Sequence, residues 1–134
     1  MRAFTIICAC AAAAVSTPAL AENFQLAAET DSLRAYVDMD SLQRTGSRVR
    51  FTQQWRHHKV RTLSDGLEWD TDTFLTEADC DAMTFVNLET VARLRGRIVL
   101  SYTGTESYRA EPNSLIAGVI ETACGAPQEQ ARPI

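Results

Sequence analysis

Apolar and polar side chains alternate along most of this chain. A period of two places them on opposite faces of half-buried strands. Phe24-Gln25-Leu26-Ala27 gives a first strand, and in a second Leu33, Ala35, Val37 and Met39 alternate with Arg34, Tyr36 and Asp38. Asp40-Ser41-Leu42-Gln43 reads as a short helical turn that Asp40 or Ser41 can cap. Thr45-Gly46-Ser47 is a turn. Val49, Phe51, Gln53 and Trp55 then alternate with Arg48, Arg50, Thr52, Gln54 and Arg56, which predicts a long strand with one basic side. Trp55 shares the phase of Val49 and Phe51 and is assigned to the core. Ser64-Asp65-Gly66 is a second turn, and residues 67–74 read as a weaker strand, at an edge, with Glu68-Trp69-Asp70 at its centre. Residues 80–93 are extended, with Thr84, Val86, Leu88 and Thr90 on one side. Arg95-Gly96 turns the chain into a last strand over residues 97–103. Strands separated by turns, with no helix between them, predict one antiparallel sheet.

The period changes near the end. Pro112 blocks upstream extension, Asn113 or Ser114 can cap, and Gly125 with Pro127 stops a helix over residues 115–124. At 100° per residue, Leu115, Ile116, Val119, Ile120, Ala123 and Cys124 share one half-circle, with Ala117, Gly118, Glu121 and Thr122 on the other. A sheet's apolar face must be covered, and this helix is the only candidate cover. Gly118 weakens it by about 1 kcal/mol relative to alanine, so the helix depends on docking. The expected fold is α+β: a single antiparallel sheet of five to six strands with a C-terminal helix on one face.

The N-terminus stands apart from this fold. Met1-Arg2, an apolar run over residues 3–15, Pro18 and Ala19-Leu20-Ala21 make a secretory signal peptide over residues 1–21, cleaved between Ala21 and Glu22. A membrane anchor is the alternative, but the run is too short for about 30 Å of hydrocarbon, so no stable membrane span is expected after cleavage. Cys8 and Cys10 lie inside the run and leave with it, although Ile7-Cys8-Ala9-Cys10 is loosely lipobox-like. One domain follows over residues 22–125, then a flexible tail over 126–134. The mature chain keeps Cys80 and Cys124. An even pair in an exported protein reads as one disulfide; two free thiols are the alternative, and a zinc site would need more ligands. Such a bridge would let Cys124, at the edge of the helix's buried face, reach Cys80 at the start of a strand.

Charge is segregated. Residues 44–61 carry six basic side chains and no acid, whereas residues 65–81 carry seven acids and no base. Two neighbouring segments that complement each other account for this; a basic face for a polyanion is the sharper alternative. The net charge of −4 and a single lysine, Lys59, argue against nucleic acid. Asp70 and Asp72 fit charge partners for Arg48, Arg50 or Arg56. His57 and His58 point to opposite faces as strand neighbours and cannot share a metal without a bulge. The sequence holds no motif of a hydrolase, a zinc protease or a phosphate-binding loop. No catalytic residue, metal or cofactor is assigned. Trp69, beside Arg48, Arg50 and Arg56, is the candidate partner-binding set.

Tyr36-Val37-Asp38, Ser41-Leu42, Arg44, Gly46 and the strand at 49–55 form the first half of a recognisable pattern. Asp79-Cys80, the strands around Gly96, and Pro112-Asn113-Ser114 ahead of a helix ending in Cys124 form the second. Together they resemble the surface-adhesin protein E family of exported proteobacterial proteins, over nearly the whole chain after Ala21. The resemblance implies the same disulfide-tethered sheet and helix. It also implies an extracytoplasmic place in a Gram-negative bacterium (periplasm, cell surface or medium), a homodimer as one assembly state, and adhesion to host matrix or serum proteins. The expected function is non-enzymatic binding of a protein partner. A plainly cleaved leader and a single lysine also suit an alternative: a soluble periplasmic protein on the same scaffold, with a small or envelope partner.

Overall fold

The computed structural model describes residues 23–126 and 132–134. The expected signal peptide and its Ala21/Glu22 cleavage site lie outside the described residues. The chain is mostly antiparallel sheet with one C-terminal helix. Strands β1 (Phe24–Glu29), β2 (Leu33–Asp38), β3 (Gln43–Thr45) and β4 (Arg48–Thr62) come first, with a 3₁₀ turn at Met39–Ser41 after β2. Then follow β5 (Glu68–Asp79), β6 (Thr84–Leu94), β7 (Arg97–Thr103), β8 (Ser107–Arg109) and α1 (Leu115–Gly125). The continuous order is β1-β2-β4-β5-β6-β7; β3 pairs with β4 and β8 with β6. The sheet therefore has eight strands rather than five to six. The two extra ones, β3 and β8, are three residues long, too short to show an alternation.

Turn chemistry sets the registers. Arg95 and Gly96 both take positive φ, 50° and 82°, which a two-residue hairpin loop with the right twist requires. Asp70 accepts a hydrogen bond from the Arg95 amide at 2.9 Å and holds that turn against β5. The β5–β6 register shifts between Leu75 and Thr76. Leu88 is the residue left over on β6, so the simple alternation read across residues 84–90 fails there. Phe85, Asn87, Thr90 and Ala92 instead oppose the inward residues of β5.

The inner face carries Leu33, Ala35 and Val37 from β2, Val49 and Phe51 from β4, and Ala78 from β5, all buried. Helix α1 lies over β1, β2 and β4. Ser114 is its N-cap, and its hydroxyl accepts from the Ala117 amide at 3.2 Å. Val119, Ile120 and Ala123 are buried as the pattern requires, and so is Ala117, which the helical projection placed outside. Gly118 explains the difference. A Cβ there would sit 3.2 Å from the Ala28 Cβ, so the helix rests on β1 along its small residues. At the other end, the Arg44 guanidinium donates to the Cys124 carbonyl at 2.7 Å, satisfying an end-of-helix acceptor.

Cys80 and Cys124 form a disulfide with Cα atoms 5.8 Å apart. Cys80 lies in the turn after β5, not at the start of a strand. Residues 132–134 of the expected flexible tail lie beside β3: the Arg132 amide donates to Leu42 O at 3.0 Å, and Gln43 and Arg132 form an isolated parallel bridge. No described helix is long and apolar enough to cross a membrane.

Candidate functional site

The arginines expected to face a partner lie on the outer side of β4, opposite α1. β4 and β5 are neighbours, as charge complementarity suggested, but the partners differ. Arg48 pairs with one oxygen of Glu77, and Arg50 donates to the other at 2.7 and 3.1 Å. The Glu77 side chain is only 12 % exposed, so both guanidiniums are committed to neutralising it. The Arg56 guanidinium lies 4.3 Å from the Tyr36 ring centroid and donates to Gln54. Asp70 and Asp72 pair with none of the three arginines. Asp70 holds the Arg95 amide and Thr71, and Asp72 binds His57.

Trp69 is not beside these arginines. β5 is an inner strand of the sheet rather than an edge. Between Arg56 and Arg61 the β4–β5 register breaks, so Trp69 pairs with Arg61. Its indole turns to the inner face. There Trp69 Nε1 donates to Asp72 Oδ2 at 3.2 Å, and the ring meets His57 edge-on at 6.4 Å. His57 Nε2 and Asp72 Oδ2 are 2.7 Å apart, with the imidazole 7 % exposed. Among the described residues, His57 Nδ1 is buried without a hydrogen-bond partner, so no described hydroxyl extends the pair. His58 turns the other way and its Nδ1 meets Asp31 O at 2.8 Å. Among the described residues, no group of three or more His, Cys, Asp or Glu side chains could hold a metal.

The inner face has a second half that α1 does not cover. Over β5, β6 and β7 its residues become polar and aromatic. Trp55 Nε1 donates to Gln53 Oε1 at 2.7 Å, Gln53 Nε2 to Thr76 Oγ1 at 2.8 Å, and Thr76 Oγ1 to Asn87 Oδ1 at 2.9 Å. Gln53 and Thr76 are fully buried, and this chain of bonds satisfies them. Trp55 packs edge-on against Phe74 at 5.2 Å.

Beside this network runs a cleft in two compartments. One, of about 140 Å³, is lined by Leu63, Leu67, Trp69, Ala92 and Leu100, with Asp72 in its wall. The other, of about 290 Å³, is lined by Phe74, Asn87, Gly104, Glu106 and Tyr108. Thr90 and Tyr102 border both. The Tyr108 hydroxyl donates to Glu106 at 2.8 Å. That bond, together with partial desolvation, holds the tyrosine above its ordinary pKa. Gly104 permits the narrow wall, since a Cβ there would lie 2.8 Å from Asn87 O. The rim is β7. Leu100 and Tyr102 are 39 and 55 % exposed, and no described strand pairs with its outer edge; Ile98, beyond a register shift, pairs with Arg93 and lines neither compartment.

Sequence reasoning missed this cleft. Residues 97–103 were read as a strand, but nothing in them says that its inward side chains lack a cover. The signal was present on β5 and β6: Thr76, Asn87 and Thr90 stand at inward positions where β2 and β4 carry Ala35, Val37, Val49 and Phe51. The arrangement is that of a half-covered antiparallel sheet with two small neighbouring pockets on its uncovered half. Compared with known proteins, the chain matches no family model, no curated protein and no solved structure.

Proposed function

We propose that this chain is a non-enzymatic binding protein acting outside the cytoplasm, on a scaffold like that of the surface-adhesin protein E family. Its contact surface is the open half of the inner face, not the outer arginine side. The observation that carries this reading is the aromatic-lined cleft bordered by the exposed residues Leu100 and Tyr102 of β7, whose outer edge pairs with no described strand. Exposed apolar patches and aromatic side chains at a concave surface are what partner recognition uses. The Cys80–Cys124 disulfide suits an oxidising compartment.

The test is binding of the purified mature chain to immobilised matrix proteins and to envelope extracts, beside a Leu100→Glu variant. Loss of binding in the variant with an unchanged melting temperature supports the reading. Equal binding by both chains, or loss only when Arg48 and Arg50 are replaced, refutes it. A second reading, a soluble periplasmic protein with a small partner, is favoured by the size and partial enclosure of the cleft. Fractionation of the producing bacterium, with sequencing of the mature N-terminus, separates the two.

A further inference from the structure

We propose that the cleft binds a small amphiphile: a quaternary ammonium head in the compartment of Phe74, Tyr102, Tyr108 and Glu106, and a short apolar tail in the compartment of Leu67, Trp69 and Leu100. This rests on the reading that the open inner face is the binding surface, and it names the chemistry of the occupant. The two compartments differ in kind. The first joins three aromatic rings to a carboxylate. Ring faces attract cations, and desolvated quaternary ammonium groups are their best-matched ligands because they need no hydrogen-bond acceptor. Glu106, anchored by the Tyr108 hydroxyl, supplies the counter-charge at the mouth.

The second compartment is walled by aliphatic side chains and an indole. Its one carboxylate, Asp72, is already engaged by His57 and Trp69. Among the described residues, no lysine or arginine lines either compartment, although the chain carries thirteen of them. An anionic ligand would find no partner there. Size selects further: each compartment is below about 300 Å³, the small end of ligand pockets, so a compact head and a short tail fit where a large ring system does not. The compartments are neighbours, sharing Thr90 and Tyr102 in their walls, and the proposed occupant reaches across that border from one to the other.

The experiment titrates the oxidised mature chain with hexyltrimethylammonium, following tryptophan fluorescence and calorimetry. Choline, its neutral isostere 3,3-dimethylbutan-1-ol, and hexanoate serve as comparison probes. Choline should bind about tenfold more tightly than its neutral isostere, and hexanoate more weakly than hexyltrimethylammonium. Choline, lacking the tail, should bind more weakly than hexyltrimethylammonium and leave the fluorescence of Trp69 unchanged. Tyr102→Ala should weaken ammonium binding about tenfold, and Glu106→Gln should weaken it while leaving the alcohol unaffected. Both side chains are exposed, so circular dichroism should be unaltered.

Equal binding of ammonium, alcohol and hexanoate overturns the assignment of the head but leaves a binding cleft in place. No response to hexyltrimethylammonium at about 10 mM overturns the proposal outright. Capture of a lysine-bearing apolar peptide in its place overturns the small-ligand assignment and makes the β7 edge the docking element. The Leu100→Glu partner assay fails or succeeds separately from all of these.

Discussion

Removing the Cys80–Cys124 disulfide should be the most damaging conservative change in this domain. The bridge joins residues 44 positions apart. In the chain-entropy account, a closed loop of that length restricts the unfolded chain by about 4 kcal/mol. Small domains have a net stability of roughly 5–15 kcal/mol, so the loss is a large fraction of the whole. The structure adds a local reason. Helix α1 rests on β1, β2 and β4, and the disulfide ties its last turn to the end of β5. Without it, an 11-residue helix containing Gly118 is held by Ala117, Val119, Ile120 and Ala123, by the partly buried Leu115 and Ile116, and by the Arg44 contact, and helices of that length are marginal alone. The perturbation is Cys80→Ala with Cys124→Ala, compared with the wild-type chain before and after reduction. Urea unfolding followed by tryptophan fluorescence should show the midpoint falling by about 2–3 M, taking a slope of about 1.5 kcal/mol per M. The melting temperature should drop by about 15–30 °C. Hydrogen exchange should quicken first in α1. A thiol assay on the oxidised mature chain should find no free cysteine. A midpoint shift below about 0.5 M, with α1 amides as protected as before, would refute both the entropic estimate and the view of the helix as a tethered cover.

Three further outcomes follow from particular contacts. Gln53→Leu strips the acceptor from Trp55 Nε1 and a donor from Thr76; a loss of about 2 kcal/mol is expected from the stranded groups, and a variant more stable than wild type in urea would show that the polar chain is dispensable. Gly104→Ala places a methyl group against Asn87 O and should cost about 1–3 kcal/mol; an unchanged melting temperature contradicts it. Asp70 and Asp79 are held below the ordinary carboxylate value of 3.8, chiefly by hydrogen bonds from the Arg95 amide and from the Ala82 and Asp81 amides respectively. A folded pKa below the unfolded one means that their stabilisation is complete above about pH 4 and is lost as the pH falls through the lower folded value. The gap in melting temperature between wild type and Asp70→Asn or Asp79→Asn should therefore close below that pH, and a gap constant from pH 7 to pH 2 counts against it.

The sheet was legible in the sequence where one side of a strand is uniformly buried. Leu33, Ala35 and Val37, or Val49 and Phe51, declare their faces because every inward position is apolar. The helix was legible for the same reason, and Ser114 and Gly125 marked its ends. The disulfide followed from counting the cysteines outside the expected signal peptide. Errors cluster where the period slips. Leu88 is an extra residue on β6, and everything on one side of it changes face. The break between Arg56 and Arg61 likewise carries Trp69 to the inner side. No single-strand pattern reports such a slip, because it is a property of the pair. The ion-pair partners of the arginines were misassigned for another reason. Sequence shows that acids are near, not that Glu77 lies between two of them.

That an open half exists was nevertheless implied by arithmetic. An α-helix is about 10–12 Å across with its side chains, and neighbouring strands are about 4.8 Å apart. A helix lying along the strands thus covers two or three of them, and α1 covers β1, β2 and β4. Six strands in continuous order cannot all be hidden beneath one such element. The remaining inward face must either turn polar, as Gln53, Thr76, Asn87 and Thr90 do, or stay apolar and open, as it does at Leu100, Tyr102 and Trp69. Both choices occur side by side here, with the satisfied polar chain beneath and the unsatisfied aromatic rim above. An uncovered sheet carrying only the first would be a solvated surface. The rim retained beside it, at positions that stability would fill with polar side chains, is the feature on which the proposed ligand site rests.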